Sequence, residues 1–264
     1  MKTFIRKHWA RILVYGGLGC CALYAFLIEA HWIKIGRLSL SERPSLRVVH
    51  ISDIHYKGER SYLARIVADV NNLAPDVVCF TGDIAEDTRY LEPALDALSK
   101  INAPLYGVPG NHDPLSGASF DRIREYFRKT GGRWLVDDSA STAEGKLLIF
   151  GKTETMVNAG RAMHKRGMNV ISAPGAKRIL LIHYPALVTG IKNEAYDLIL
   201  AGHSHGGQVR LPFFGALIVP SGVDGYQMGA YLTPAGRLHV SPGLGTYLLP
   251  ARFFCRPEIT LLEI

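Results

Sequence analysis

The side chains with the greatest chemical reach in this sequence fall into five short blocks. In order they are Asp53-Ile54-His55, Gly82-Asp83, Gly110-Asn111-His112-Asp113, His183 and Gly202-His203-Ser204-His205. Seven of these residues (Asp53, His55, Asp83, Asn111, His183, His203 and His205) offer carboxylate, amide or imidazole donors, and none is a cysteine. Such a set suits divalent Mn, Fe, Zn or Mg; identity within that group is left open by the residues. Asp53 and His55 stand two apart, so an extended strand points both to one face, and a turn there aims them at one ion. Gly82 lets the backbone bend sharply before Asp83 and bring a carboxylate between two ions. Asn111 adds a neutral amide oxygen, and His203 and His205 flank Ser204, so their imidazoles can serve different ions. This is the pattern of an enzyme built around two metal ions.

Most of the blocks follow a short apolar run that reads as a strand. Leu46–Ile51 precedes Asp53, Val77–Phe80 precedes Asp83, Leu105–Val108 precedes Asn111, and Leu198–Ala201 precedes His203. Open α/β sheets gather their sites at the ends of such strands. Between them, Tyr62–Leu73 carries helical spacing through Leu63, Ile66, Val67 and Val70; Pro93 suits the first turn of a second helix; and Phe120–Thr130 reads as a third, ended by Gly131-Gly132. Alternating strands and helices imply a mainly parallel sheet with both faces covered. Beyond Trp134 strands dominate, at 146–150, 179–183, 198–201, 208–211, 237–240 and 258–262, and a two-sheet sandwich with helices outside fits them.

The chain has 264 residues and a formal net charge of +7. Residues 1–43 hold seven Lys/Arg against Glu29 and Glu42, a net +5, which leaves +2 for the body. A basic stripe for nucleic acid is therefore not expected. Four cysteines, two of them adjacent (Cys20 and Cys21), make no disulfide framework, and Cys79 reads as a small buried hydrophobe. Ile12 to Ile28 carries no charged side chain and is flanked by Trp9 and Trp32. That predicts a short single-pass membrane helix, with residues 1–43 as anchor and linker and 44–264 as the catalytic domain. The rivals are a cleaved signal peptide, for which no clean small-residue site follows, and a buried globular helix. Basic residues lie on both sides of the apolar run, so the charge rule leaves the orientation open.

The five blocks, in this order, resemble the metallophosphoesterase (calcineurin-like) superfamily, and the resemblance covers residues 46–264. The run Gly202 to Gln208 and the tail Arg252-Phe253-Phe254-Cys255-Arg256-Pro257-Glu258 look like the bacterial membrane-anchored branch typified by YaeI- and YkuE-type phosphodiesterases. That branch also takes in UDP-2,3-diacylglucosamine pyrophosphatases. The resemblance implies a two-sheet sandwich flanked by helices, with two close divalent ions. Asp53, His55 and His205 would hold one, Asn111, His183 and His203 the other, and Asp83 would bridge. Ions in such sites stand roughly 3.5–4 Å apart. It further implies a phosphoester substrate, a nucleotide-linked lipid among the options, at a bacterial inner membrane with no protein partner. His112 is the expected general acid, with Asp113 placed to orient it. Ser204 stands where Thr is commoner. Tyr184 follows His183 where a small polar residue is usual, and is expected to alter the pocket wall.

Arg252 and Arg256 are candidate phosphate contacts, because a guanidinium fork matches phosphate oxygens; the bland alternative is a solvated or ion-paired arginine. Glu86 and Asp87 read as solvated loop acids, and His50 as a strand residue packed beside the site. His8, His31, His164 and His239 have no supporting context. The apolar stretches 211–220 and 248–254 read either as core strands or as an exposed lip for a lipid chain. The competing functions are a tethered esterase for soluble substrates and a non-catalytic metal-binding scaffold.

Overall fold

The computed structural model describes residues 2–153, 174–192 and 194–264. Helix α1 (Lys2–Leu23) continues through a π-turn at Tyr24–Ile28 and a 3₁₀ turn at Glu29–His31. Every residue from Arg11 to Leu23 is exposed, so this helix is not packed in a core. The stretch Arg11–His31 is long and apolar enough to cross a membrane, with a mean hydropathy of 1.8.

The body opens with β1 (Lys34–Ser39), β2 (Arg47–Ile51), α2 (Arg60–Asn72), β3 (Val77–Phe80), α3 (Thr88–Leu98), β4 (Leu105–Gly107), α4 (His112–Leu115), α5 (Phe120–Lys129) and β5 (Arg133–Trp134). The second half is strand-rich: β6 (Asp138–Ser141), β7 (Leu147–Gly151), β8 (Lys177–Leu181), β9 (Tyr196–Ala201), β10 (Arg210–Leu211), β11 (Gly215–Ala216), β12 (Gly229–Thr233), β13 (Gly236–Val240) and β14 (Glu258–Glu263). One six-stranded sheet runs β1-β14-β2-β3-β4-β5 and the other β12-β13-β9-β8-β7-β6. The α/β two-sheet sandwich flanked by helices is the expected architecture.

Alternation along each strand builds three apolar layers. Val77 and Cys79 point between the sheets, where they meet Ile149, Ile179, Leu198 and Leu200. Val78 and Phe80 point outward beneath Leu63, Ile66, Leu95 and Phe127 of the helices. A third layer, with Phe150, Leu180 and Ile199, lies on the far face of the second sheet under the 3₁₀ turn Pro185–Gly190. Strands buried on both faces read as unbroken hydrophobic runs, which is why these segments stood out in the sequence.

Two boundaries differ from expectation. Lys34–Ser39, assigned to the linker, pairs in parallel with β14 from Lys34↔Glu258 to Ser39↔Glu263 and is the edge of the first sheet. Its pairing partner is over 200 residues away, so no local pattern announces it. Helix α3 begins at Thr88, so Pro93 sits inside it; the Asp87 carboxylate, accepting from the Arg89 N–H at 3.0 Å, sets the start. His164 lies outside the described residues.

Candidate metal centre

Six ligand-type residues sit where β2, β3, β8 and β9 have just ended, and Asn111 follows β4. The backbone turns hard there. Asp53, His55, Asp83, His203 and His205 all have φ between 45° and 66°, a region that residues with a Cβ rarely occupy. Such strain persists only where the surroundings enforce it, and here each turn swings a donor inward. The preceding glycines leave the room. A Cβ on Gly110 would stand 2.2 Å from Asp83 Oδ1, and one on Gly82, itself at φ 97°, would stand 2.3 Å from the Gly110 nitrogen.

The donors converge. His55 Nε2 lies 3.0 Å from His205 Nε2, and His205 Nε2 lies 3.6 Å from Asp53 Oδ1. On the other side, His183 Nε2 lies 3.0 Å from Asn111 Oδ1 and 3.1 Å from His203 Nδ1. Asp83 Oδ2 stands between the groups, 3.4 Å from His55 Nε2 and 3.3 Å from His183 Nε2. Donor atoms bound to one ion at about 2.1 Å are roughly 3.0–3.4 Å apart along the edges of an octahedron or tetrahedron, so these spacings fit two divalent ions. The far ring nitrogens are spoken for: His183 Nδ1 is 2.7 Å from the Thr81 carbonyl and His203 Nε2 is 2.8 Å from the Ser221 carbonyl. A donor N–H on each of those nitrogens leaves the inward nitrogen as a lone pair.

The buried carboxylates draw positive charge to the same place. Burial opposes a proton on His183, but the Asp83 and Asp53 carboxylates and the Thr81 carbonyl together outweigh it and push the imidazole up to about 9. Burial, reinforced by His183, pushes His203 down to about 3. A cluster of buried imidazoles around two buried carboxylates is a cation-seeking site.

His112 sits at the lip of the centre, its side chain 15% exposed, with its ring 4.7 Å from both the His55 and Tyr247 rings. Its Nδ1 lies 3.6 Å from a Glu86 carboxylate oxygen, whose other oxygen is 2.6 Å from His55 Nδ1. Glu86 is therefore no solvated loop acid. It lies beside both a candidate ligand and the expected acid, a role that sequence could have suggested only through its position three residues after Asp83. Asp113, expected to orient His112, instead accepts the N–H groups of Asp83, Ile84 and Gly110 at 2.9, 3.0 and 2.8 Å. It ties the two ligand loops together.

Arg252 is corrected too. It is fully buried, and its guanidinium donates to the carbonyls of Pro242, Gly245 and Cys255 at 2.6–3.1 Å, so it faces no phosphate. Arg256 donates to the Trp32 and Ile33 carbonyls and stacks 4.0 Å over the Trp32 ring. Tyr184 lies behind the ligands, its ring 4.3 Å from that of His203, rather than along the cleft wall. His50 is buried with His239, their Nδ1 atoms 3.0 Å apart, and bonds Thr81 at 2.9 Å.

The cleft over the donors holds about 530 Å³ and is walled by Leu217, Ile218, Leu248 and Leu249 as well as by His112 and Tyr247. Residues 46–207 match the family of calcineurin-like phosphoesterases.

The chain belongs to that family.

Its relatives include the metallophosphoesterase YkuE of Bacillus subtilis, 29% identical over all of this chain and 99% of the relative. The phosphodiesterase YaeI of Escherichia coli is 25% identical over all of this chain and 98% of its own. Among solved structures, TT1561 of Thermus thermophilus shares the fold with a TM-score of 0.50 at 14% identity, over 75% of this chain and 90% of that one. This phosphoesterase is thus a metal-dependent phosphoric ester hydrolase, and its clustered donors are candidates for the divalent ions such enzymes use.

Proposed function

We propose that the chain hydrolyses a phosphodiester or phosphoanhydride at a two-metal centre beside a membrane. Asp53, His55 and His205 would hold one ion, Asn111, His183 and His203 the other, and Asp83 would serve both. The observation that carries this is the placement of a single Asp83 oxygen at nearly equal distance from His55 Nε2 and His183 Nε2. Two divalent ions bound there would neutralise phosphoryl oxygens and make a water nucleophilic near neutral pH.

The protein's own groups do the remainder. His112 protonates the leaving oxygen. Glu86, whose carboxylate lies 3.6 Å from His112 Nδ1, favours a proton on that side of the ring. Asp113 holds the Asp83 and Asn111 loops at their separation. The aliphatic walls of the cleft favour a substrate with an apolar part, and a nucleotide-linked lipid such as UDP-2,3-diacylglucosamine fits that description. Helix α1 is read as the single-pass anchor, in a bacterial inner membrane, of the catalytic domain.

Asp83→Asn tests the centre. Turnover of bis(p-nitrophenyl) phosphate should fall roughly a hundredfold or more, bound metal should drop, and chelation of the unsubstituted chain should abolish activity reversibly. Full activity in Asp83→Asn rules out the shared carboxylate. Comparing that diester, p-nitrophenyl phosphate and a UDP-acylglucosamine separates the lipid reading from a tethered enzyme for soluble esters.

A further inference from the structure

The end of α1 is fastened to the body rather than hinged. Ala25 O accepts from Arg252 N at 3.0 Å, and the buried Glu29 carboxylate accepts from the Phe254 and Cys255 N–H groups at 3.0 and 2.5 Å. The Tyr24 ring meets the Phe253 ring edge-on at 6.2 Å. The same tail segment is stitched to the loop that follows His205. Phe253 N donates to Gln208 O at 2.9 Å, Arg210 N donates to Phe253 O at 2.8 Å, and Gln208 Nε2 donates to the carbonyls of Tyr247 and Leu249. Anchor, tail and ligand loop therefore form one unit. Wherever α1 enters a bilayer, this face of the body goes with it.

That face is apolar and open. Residues 211–220 and 247–251 contain no charged side chain. Phe213 is fully exposed, and Phe214, Ile218 and Leu248 are 85%, 80% and 86% exposed. Phe213 and Leu248 accept left-handed backbone, at φ 70° and 57°, which is rare for bulky residues. Ile218 and Leu248 also wall the cleft, so the exposed surface continues into the site.

We infer that these two loops form a collar that inserts into the interface of the bilayer that α1 enters. The occupant is a lipid surface, because the exposed apolar side chains adjoin the joint of a membrane-length helix and run on from it. An apolar patch of this kind gains its burial from a hydrocarbon boundary. The collar would set the metal centre at the headgroup level, so that a phosphoester reaches it while its acyl part stays in the membrane. This deepens the membrane reading above and rests on it.

The test uses the full chain in nanodiscs of phosphatidylcholine, with and without bromine on the acyl chains. Phe213→Trp adds a reporter to the collar, and Glu144→Trp adds one to the β6–β7 turn at the opposite strand ends; the natural tryptophans are the common background. Quenching of the Phe213→Trp increment by brominated lipid, with none for Glu144→Trp, is the expected result. An unquenched increment in chains that float with the discs and hydrolyse bis(p-nitrophenyl) phosphate overturns the collar while sparing anchor and chemistry. If, in addition, each disc holds two chains, a second copy covers the patch instead. Failure to enter discs removes the anchor reading and the collar with it. Loss of diester hydrolysis alone strikes the catalytic reading.

Discussion

Arg252→Ala separates a structural arginine from a substrate contact. The side chain is fully buried, with no ion pair among the described residues, and its guanidinium donates to three backbone carbonyls and, at 3.9 Å, to Cys255 Sγ. Truncation leaves the carbonyls of Pro242, Gly245 and Cys255 without these donors, at about 1–3 kcal/mol each. It also opens a cavity beneath the tail. Taking the low end for each carbonyl and adding nothing for the cavity, because such effects are not fully additive, the loss is about 3 kcal/mol. For a domain of this size that corresponds to roughly 6–12 °C in the unfolding midpoint. The measurement is thermal unfolding in detergent, paired with steady-state kinetics well below the midpoint. We expect the midpoint to drop while KM for a soluble diester stays within about twofold, since no uniform binding contact is lost. Arg252→Lys should fare little better, because one ammonium cannot span three acceptors held by a planar fork. A KM raised tenfold or more, with the midpoint unmoved and partial rescue by Lys, would refute this account.

Other substitutions probe the centre and its supports. His112→Ala should lower kcat roughly a hundredfold, within the range for a general acid, while metal stoichiometry measured by elemental analysis stays the same; loss of an ion would make His112 a ligand instead. Asp113→Asn keeps an acceptor for some of its three N–H partners but sets an amide N–H₂ against another, so the midpoint should fall by several degrees and metal affinity with it; unchanged values would show that the loops do not depend on this carboxylate. His239 is pushed down to about 4, chiefly by burial. The folded state therefore refuses a proton that the unfolded chain takes up below pH 6.5. Stability should be full above that pH and decline as pH falls toward about 4. His239→Gln should narrow that decline in pH-dependent unfolding, and an identical profile in the variant would exclude this pair as its source.

The order of the ligand blocks, the donor types and the apolar runs before them were all present in the sequence, because strand-end placement and side-chain alternation are local properties. So were the helices with 3.6-residue spacing and the length of the apolar N-terminal run. Other features were hidden because they join segments far apart. Nothing near Lys34–Ser39 shows that its partner is β14. Nothing near Arg252 shows that it is buried, so its guanidinium fork reads from sequence as a candidate phosphate contact or a solvated charge. Asp113 beside His112 suggested a local pair, yet the helical turn at His112–Leu115 carries the carboxylate back under Asp83 and Gly110. Glu86 reads from sequence as a solvated loop acid, yet the fold sets its carboxylate 2.6 Å from His55 Nδ1 and 3.6 Å from His112 Nδ1.

The sequence by itself determined the chemistry: which atoms can bind divalent ions, in what number, and that they arrive at strand ends. Only the tertiary structure decided how closely those donors approach one another and Asp83, which charged residues support the fold instead of the substrate, and which face adjoins the end of α1. The reason is physical. Donor identity is a property of single side chains, whereas separations of 3.0–3.6 Å between residues up to 152 positions apart are set by how two sheets stack and how a tail closes over them.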